Sequence, residues 1–141
     1  MKRAWRRSAD GEELVTLEGV LRAWSGYDGR MSQQISCTRI RLKPGSLPLV
    51  REWAAELTRR AAEVLATLRD ETARIESVFL DSGPDGDYLV YYMRVDDPNA
   101  NLRAVQTSTH AIDEYHRAFM GAVVDSRQSL ELLVDFDRTN E

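Results

Sequence analysis

His116 is the side chain in this sequence best placed to do chemistry. Leu102, Val105, Thr109, Ile112, His116 and Phe119 recur at alternating spacings of three and four, so a helix here turns the imidazole toward the interior and away from water. Asp113 stands three residues earlier on a neighbouring ridge, within reach of the ring. A carboxylate there would fix the tautomer and raise the imidazole pKa, whereas burial alone would lower it. The pair fits a general acid/base, or an axial ligand in the case of His116 alone. It fits equally a core histidine satisfied by Asp113 or by a side chain of a strand.

A second group is charged. Arg39 and Arg41 share one face of a β-branched run, Glu76 falls in a second run and Arg94 in a third. Charges inside apolar strands are costly unless paired or solvated. They would therefore line a site for an anionic or carbonyl-bearing ligand, with Tyr91 or Tyr92 as hydrogen-bond donors, or else pair across strands. Glu71, in Arg69-Asp70-Glu71-Thr72, closes a helix and by itself reads as a solvated end.

Other chemistries are disfavoured. His110 lies six positions before His116, so on one helix the rings diverge by roughly 120° and cannot share a metal. With one cysteine and no His cluster, neither a built-in metal site nor a resident cofactor is expected. No Gly-rich phosphate loop, nucleophile elbow or paired-cysteine motif is present.

These residues need a frame. Ile35–Leu42 reads as a first strand, followed by the turn Lys43-Pro44-Gly45-Ser46 with Ser46 able to cap a helix. Val50, Trp53, Ala54, Leu57, Ala61, Val64, Leu65 and Leu68 then trace one helical stripe. Arg74–Asp81 and Asp87–Val95 form a hairpin around Ser82-Gly83-Pro84-Asp85-Gly86. The His116 helix follows, ending at Gly121, and Ser129–Phe136 is the fourth strand. The order β-α-β-β-α-β is the split βαβ, ferredoxin-like arrangement. Right-handed crossovers put both helices on one face of a four-stranded antiparallel sheet ordered 4-1-3-2.

The other face is then uncovered, yet Tyr88 to Met93 is almost continuously apolar or aromatic, as are Val78-Phe79-Leu80 and Leu132-Leu133-Val134. A wet face of that kind exceeds what a monomer ordinarily exposes. The candidates for its cover are a second copy of the chain, the N-terminal helix or a ligand; a second copy would give a homodimer through the sheet face.

At 141 residues, 43% hydrophobic and 30% charged, the chain is one domain of ordinary composition with an arm. A net charge of −4 offers nothing to a phosphate backbone. The third strand starts with Asp87 where RNA-recognition domains of this topology carry a basic residue, and the first strand has no aromatic, so no nucleic acid is expected. The lone Cys37 and the lack of a membrane-length apolar run or secretory segment suit a cytoplasmic protein with no membrane partner. Residues 1–31 are an extension: basic residues surround Trp5, and a capping-box pattern at Asp10 and Glu13 precedes Leu14, Leu17, Leu21 and Trp24. It reads as a docking arm, a surface helix, or upstream sequence with Met31 as the natural start. The domain spans 32–137 and a polar tail 138–141.

From Gln33 to Phe136 the sequence resembles the dimeric α+β-barrel superfamily, which includes antibiotic-biosynthesis-type and haem-degrading monooxygenases. The resemblance rests on element order, on Ile40-Arg41-Leu42-Lys43-Pro44-Gly45 leading into the first helix, and on the aromatic third strand. It is nearest a small bacterial branch with no assigned activity, marked by the Glu71–Glu76 region and the pattern Ile112-Asp113-Glu114-Tyr115-His116. Only through this resemblance does Glu71 become a candidate for the ligand site. It implies a homodimeric barrel with a small molecule in a sheet-helix cavity. The alternatives are a cofactor-independent monooxygenase acting on an aromatic or quinone-like substrate through Asp113 and His116, and a haem-binding or haem-degrading protein.

Overall fold

The computed structural model describes residues 33–140; the amphipathic stretch from Asp10 to Trp24 lies outside them. The chain runs β1 (Gln34–Leu42), α1 (Leu47–Arg59), α2 (Ala61–Asp70), β2 (Ala73–Gly83), β3 (Gly86–Val95), α3 (Pro98–Thr107), α4 (Ala111–Val123), β4 (Val124–Ser129) and a single 3-10 turn (Arg138–Asn140). The strands form one antiparallel sheet in the order β2-β3-β1-β4. This is the ferredoxin-like α+β arrangement, with each expected long helix delivered as two pieces.

Local chemistry sets the boundaries. Gly45, at φ +79, makes the turn that leads into α1, a conformation glycine adopts at no steric cost. Ser46 does not cap the helix by its side chain, because its hydroxyl donates back to the Lys43 carbonyl at 2.6 Å. The helical layer breaks first at Arg60, whose φ of −103 and ψ of 32 leave the helical region. It breaks again at Ser108-Thr109-His110. Asp97 caps α3 by accepting from the amides of Asn99 and Ala100, and Pro98 sits in its first turn.

The core lies between helices and sheet: Ile40 and Leu42 of β1, Leu89 of β3, Val50 and Trp53 of α1, and Phe119 and Val123 of α4. Trp53 and Phe119 stack with centroids 4.5 Å apart and planes 6° from parallel.

Two expectations about the C-terminal part are corrected. Gly121 does not end its helix, which continues to Val123 and passes straight into β4. The fourth strand is Val124–Ser129 and not Ser129–Phe136. The polar residues Asp125, Ser126, Arg127 and Gln128 supply it because it is an edge strand, paired on one side only, and takes its register from β1. After the Leu130 amide donates to the Cys37 carbonyl at 2.8 Å, the chain leaves the ladder. It is then held by Asp135 and Asp137 on Arg94, while Leu133 is 81% and Phe136 92% exposed.

Candidate functional site

Alternation along β3 sorts the predicted site residues onto two faces of the sheet. Leu89, Tyr91 and Met93 point toward the helices. Tyr88, Tyr92 and Arg94 therefore point away from them, together with Arg39, which pairs across from Val90 on β1. A cavity of about 340 Å³ lies on the helix side. Glu71, Glu76, Tyr91, Asp113 and His116 all line it, against Ile40, Leu57, Val64, Met93 and Ile112. Five of the eight expected residues thus come together. Arg39, Tyr92 and Arg94 lie on the opposite face and do not contribute. A second pocket of about 250 Å³ between the helices shares Thr67, Glu71 and Asp113 with the first, so these three form the wall between them.

The outward charges are satisfied within the protein. Arg39 pairs with Asp81 at 3.3 Å and lays its guanidinium over the Tyr88 ring at 3.6 Å. Arg94 donates to Tyr92 Oη, Gln33 Oε1, Asp135 and Asp137. Its guanidinium is held in the charged form chiefly by the Tyr92 hydrogen bond.

Inside the cavity the polar groups act differently. Tyr91 donates to Glu76 from the neighbouring strand. Burial pushes the Glu76 carboxyl above its usual range although that hydrogen bond pulls the other way, and burial also raises the Tyr91 phenol well above its ordinary value. Glu71 ends α2, and its pKa is pushed up to about 7, first by burial and then by the Glu76 and Asp113 carboxylates. Thr72, next in sequence, adopts φ 54, a rare conformation for a β-branched residue. Hydrogen bonds between its side chain and the Asp97 backbone hold it there. This turn stops the helix and sets Glu71 at the wall between the pockets, with local strain of the kind that concentrates at functional sites.

The expected Asp113–His116 hydrogen bond is not made. Asp113 accepts from the Ser108 hydroxyl. His116 Nδ1 accepts from Trp53 Nε1–H at 3.2 Å. Burial lowers the His116 pKa, and Asp113 opposes this only through space. Trp53 therefore sets the tautomer: with Nδ1 accepting, the neutral ring carries its proton on Nε2. Read in sequence as one more apolar stripe position, Trp53 was missed as a site residue. The signal was available, since a buried indole N–H needs a partner. His110 finds a partner outside its own helix. The helix break makes it the N-cap residue of α4, and its ring meets Asp70 of α2 at 2.7 Å. That hydrogen bond raises its pKa.

Fold and site together define a ferredoxin-like α+β domain with a cavity that is apolar in its walls and polar at a few converging points. Residues 33–141 match a family of unknown function, DUF6176, and the chain belongs to it. No curated protein matches the sequence. Among solved structures, an uncharacterized NIPSNAP-like domain protein from Burkholderia xenovorans aligns with a TM-score of 0.52 and 18% identity, over 77% of this chain and 90% of that one. Rv0793 from Mycobacterium tuberculosis aligns with a TM-score of 0.47 and 20% identity, over 75% of this chain and 100% of that one. At such identities the likeness concerns the fold alone. No helix among the described residues is long and apolar enough to cross a membrane.

Proposed function

We propose that the protein is a homodimeric domain that holds a small molecule between its helices and its sheet. The observation that carries this reading is the cavity itself. Its volume falls within the range typical of ligand sites, and its lining joins an apolar wall to a few converging polar groups, the usual composition of such sites. Dimerisation is supported by exposed apolar surface: on the far face Phe79 is 61% exposed and Ile75 is also open, and Leu132, Leu133, Val134 and Phe136 after the fourth strand are exposed too. An acid/base role for Asp113 and His116 as a pair draws no support from their hydrogen bonds, which go to Ser108 and Trp53.

Native mass spectrometry of the chain purified from its own host reads both parts. A mass of two chains with a retained small molecule is expected. Val105→Trp, at a half-exposed position on the cavity wall, should lose the small molecule and keep the dimer. Phe79→Asp combined with Leu133→Asp should give monomers that keep it. A bare monomer from the unaltered chain overturns the proposal. A Soret band on haem addition, lost in His116→Ala, would replace it with the haem reading.

A further inference from the structure

Of the polar groups around the cavity, some are committed and others, Asn101 Nδ2 and the Arg117 and Arg127 guanidiniums among them, have no partner among the described residues. Glu76 takes the Tyr91 hydroxyl and Asp113 takes the Ser108 hydroxyl. The Glu71 carboxyl and His116 Nε2 make no hydrogen bond among the described residues. One is an acceptor and the other, in the tautomer imposed by Trp53, is a donor. The donor is rigidly set. Trp53 is buried and stacked on Phe119, so the indole that fixes the imidazole cannot readily turn. An unmatched donor and an unmatched acceptor in one apolar cavity specify what would complete them.

Charge narrows the class. An anionic ligand would face Glu71, Glu76 and Asp113 together. A cation would meet the Nε2–H of His116 and the guanidinium groups of Arg117 and Arg127, which also line the cavity. A neutral molecule avoids both penalties. The apolar lining suits a ring, and Met93 and Met120 adapt to its outline.

Resting on the cavity-binding reading above, we propose that the occupant is a neutral phenol or enol with a ring body. Its oxygen accepts from His116 Nε2–H, and its hydroxyl donates a hydrogen bond to the Glu71 carboxylate with the proton staying on the phenol. His116 thereby serves as a hydrogen-bond donor and Glu71 as the acceptor, the reverse of a histidine base. The groups that face Glu71 and set its charge are Asp70 of α2, Glu76 of β2, and Asp113 and His110 of α4 and its cap. Those acting on His116 are Asp113 and Arg117 of α4 and Arg127 of β4.

The probe is p-cresol, a phenol that ionises near 10 like tyrosine and so stays neutral at working pH. Its methyl ether, 4-methylanisole, keeps the body and loses the hydroxyl hydrogen. Calorimetric titration of the full chain should find p-cresol bound roughly tenfold or more tighter than the ether, the worth of a hydrogen bond to a charged acceptor. This preference should grow as pH rises through the Glu71 pKa of about 7. Glu71→Gln should abolish both the preference and its pH dependence. His116→Leu should weaken p-cresol several-fold, and His116→Gln, whose amide can accept from Trp53 and donate to the ligand, should restore it. Thermal melts identify any variant that has failed to fold, and Glu71→Gln, altered at a partly solvated helix end, remains informative in that event.

Equal affinity for cresol and ether overturns the proposal and leaves the cavity as a ligand site. Tighter binding of benzylamine than of cresol overturns it in favour of a cationic ligand. Binding of none of the three overturns it as well. The cavity reading itself falls if the chain from its own host carries no small molecule, or if a host-derived ligand survives Val105→Trp.

Discussion

The two faces of this sheet are built from alternate residues of the same strands, yet they treat polar groups in opposite ways. On the outward face Arg39 and Arg94 are matched by Asp81, Asp135 and Asp137. On the helix-facing side Glu71 and Glu76 have no cation at hydrogen-bonding distance among the described residues, and burial drives both toward their neutral forms. Ion pairs near water are cheap to keep and contribute little. Buried carboxyls without countercharge cost stability. Buried carboxyls of this kind beside a cavity are what the proposed ligand site rests on.

The contrast is open to attack from its largest expected effect downward. Leu89, 1% exposed on the helix side, should cost about 2–5 kcal/mol when changed to alanine. Phe79→Ala on the outward face should cost less than about 1 kcal/mol at protein concentrations where the chain is monomeric. Urea denaturation of both variants decides the point, and equal losses would mean that the outward face is covered even in the single chain.

Next comes pH. Glu71 loses its proton near 4.5 in the unfolded chain and at about 7 in the folded one, so between those values the folded state binds the extra proton. Stability must therefore fall as pH rises across that window. Glu71→Gln should flatten the slope and stabilise the protein at pH 7 by about 1–2 kcal/mol, less than the full shift implies because the side chain keeps some water. If the slope persists unchanged in the variant, Glu76 carries it instead.

The smallest effect belongs to the outward charges. A double-mutant cycle between Arg39 and Tyr88 should give a coupling below about 1 kcal/mol. The accompanying Arg39–Asp81 contribution should fade as salt is added. A coupling several times larger would show that this surface is desolvated, as a buried dimer interface would make it.

Much of the frame was legible from periodicity. The hairpin, the antiparallel order and the amphipathic helices followed from the β-branched run Ile35–Leu42, from the apolar and aromatic run within Asp87–Val95 bounded by turn residues, and from the stripe through Val50 and Trp53. The breaks were not. Arg60 and Ser108 to His110 carry no glycine or proline, and the apolar spacing runs through them unbroken, so each pair of helices looked like one. The fourth strand was misplaced because Leu132-Leu133-Val134 has the composition of a buried strand, whereas Val124–Ser129 is a polar edge that β1 recruits by backbone pairing. Of the site, Glu76, Tyr91, Asp113 and His116 could be named from residue type and position, and Glu71 through the family resemblance.

By itself, then, the sequence determined the order of strands and helical segments, that His116 faces inward, and that the sheet presents apolar surface on both sides. These depend on local period and composition, which a linear chain carries in full. The partners were decided only in three dimensions. Trp53 and His116 stand 63 positions apart, and Arg94 lies 41 from Asp135. Such contacts arise when a crossover helix returns over the sheet or a tail folds across its end. The same is true of which face each strand charge occupies, since slipping the register by one residue would exchange the two sides. The second face of the sheet, first noticed as an excess of apolar residues, is now a surface with its own ion pairs and its own exposed aromatic side chain. The cavity lies on the other side.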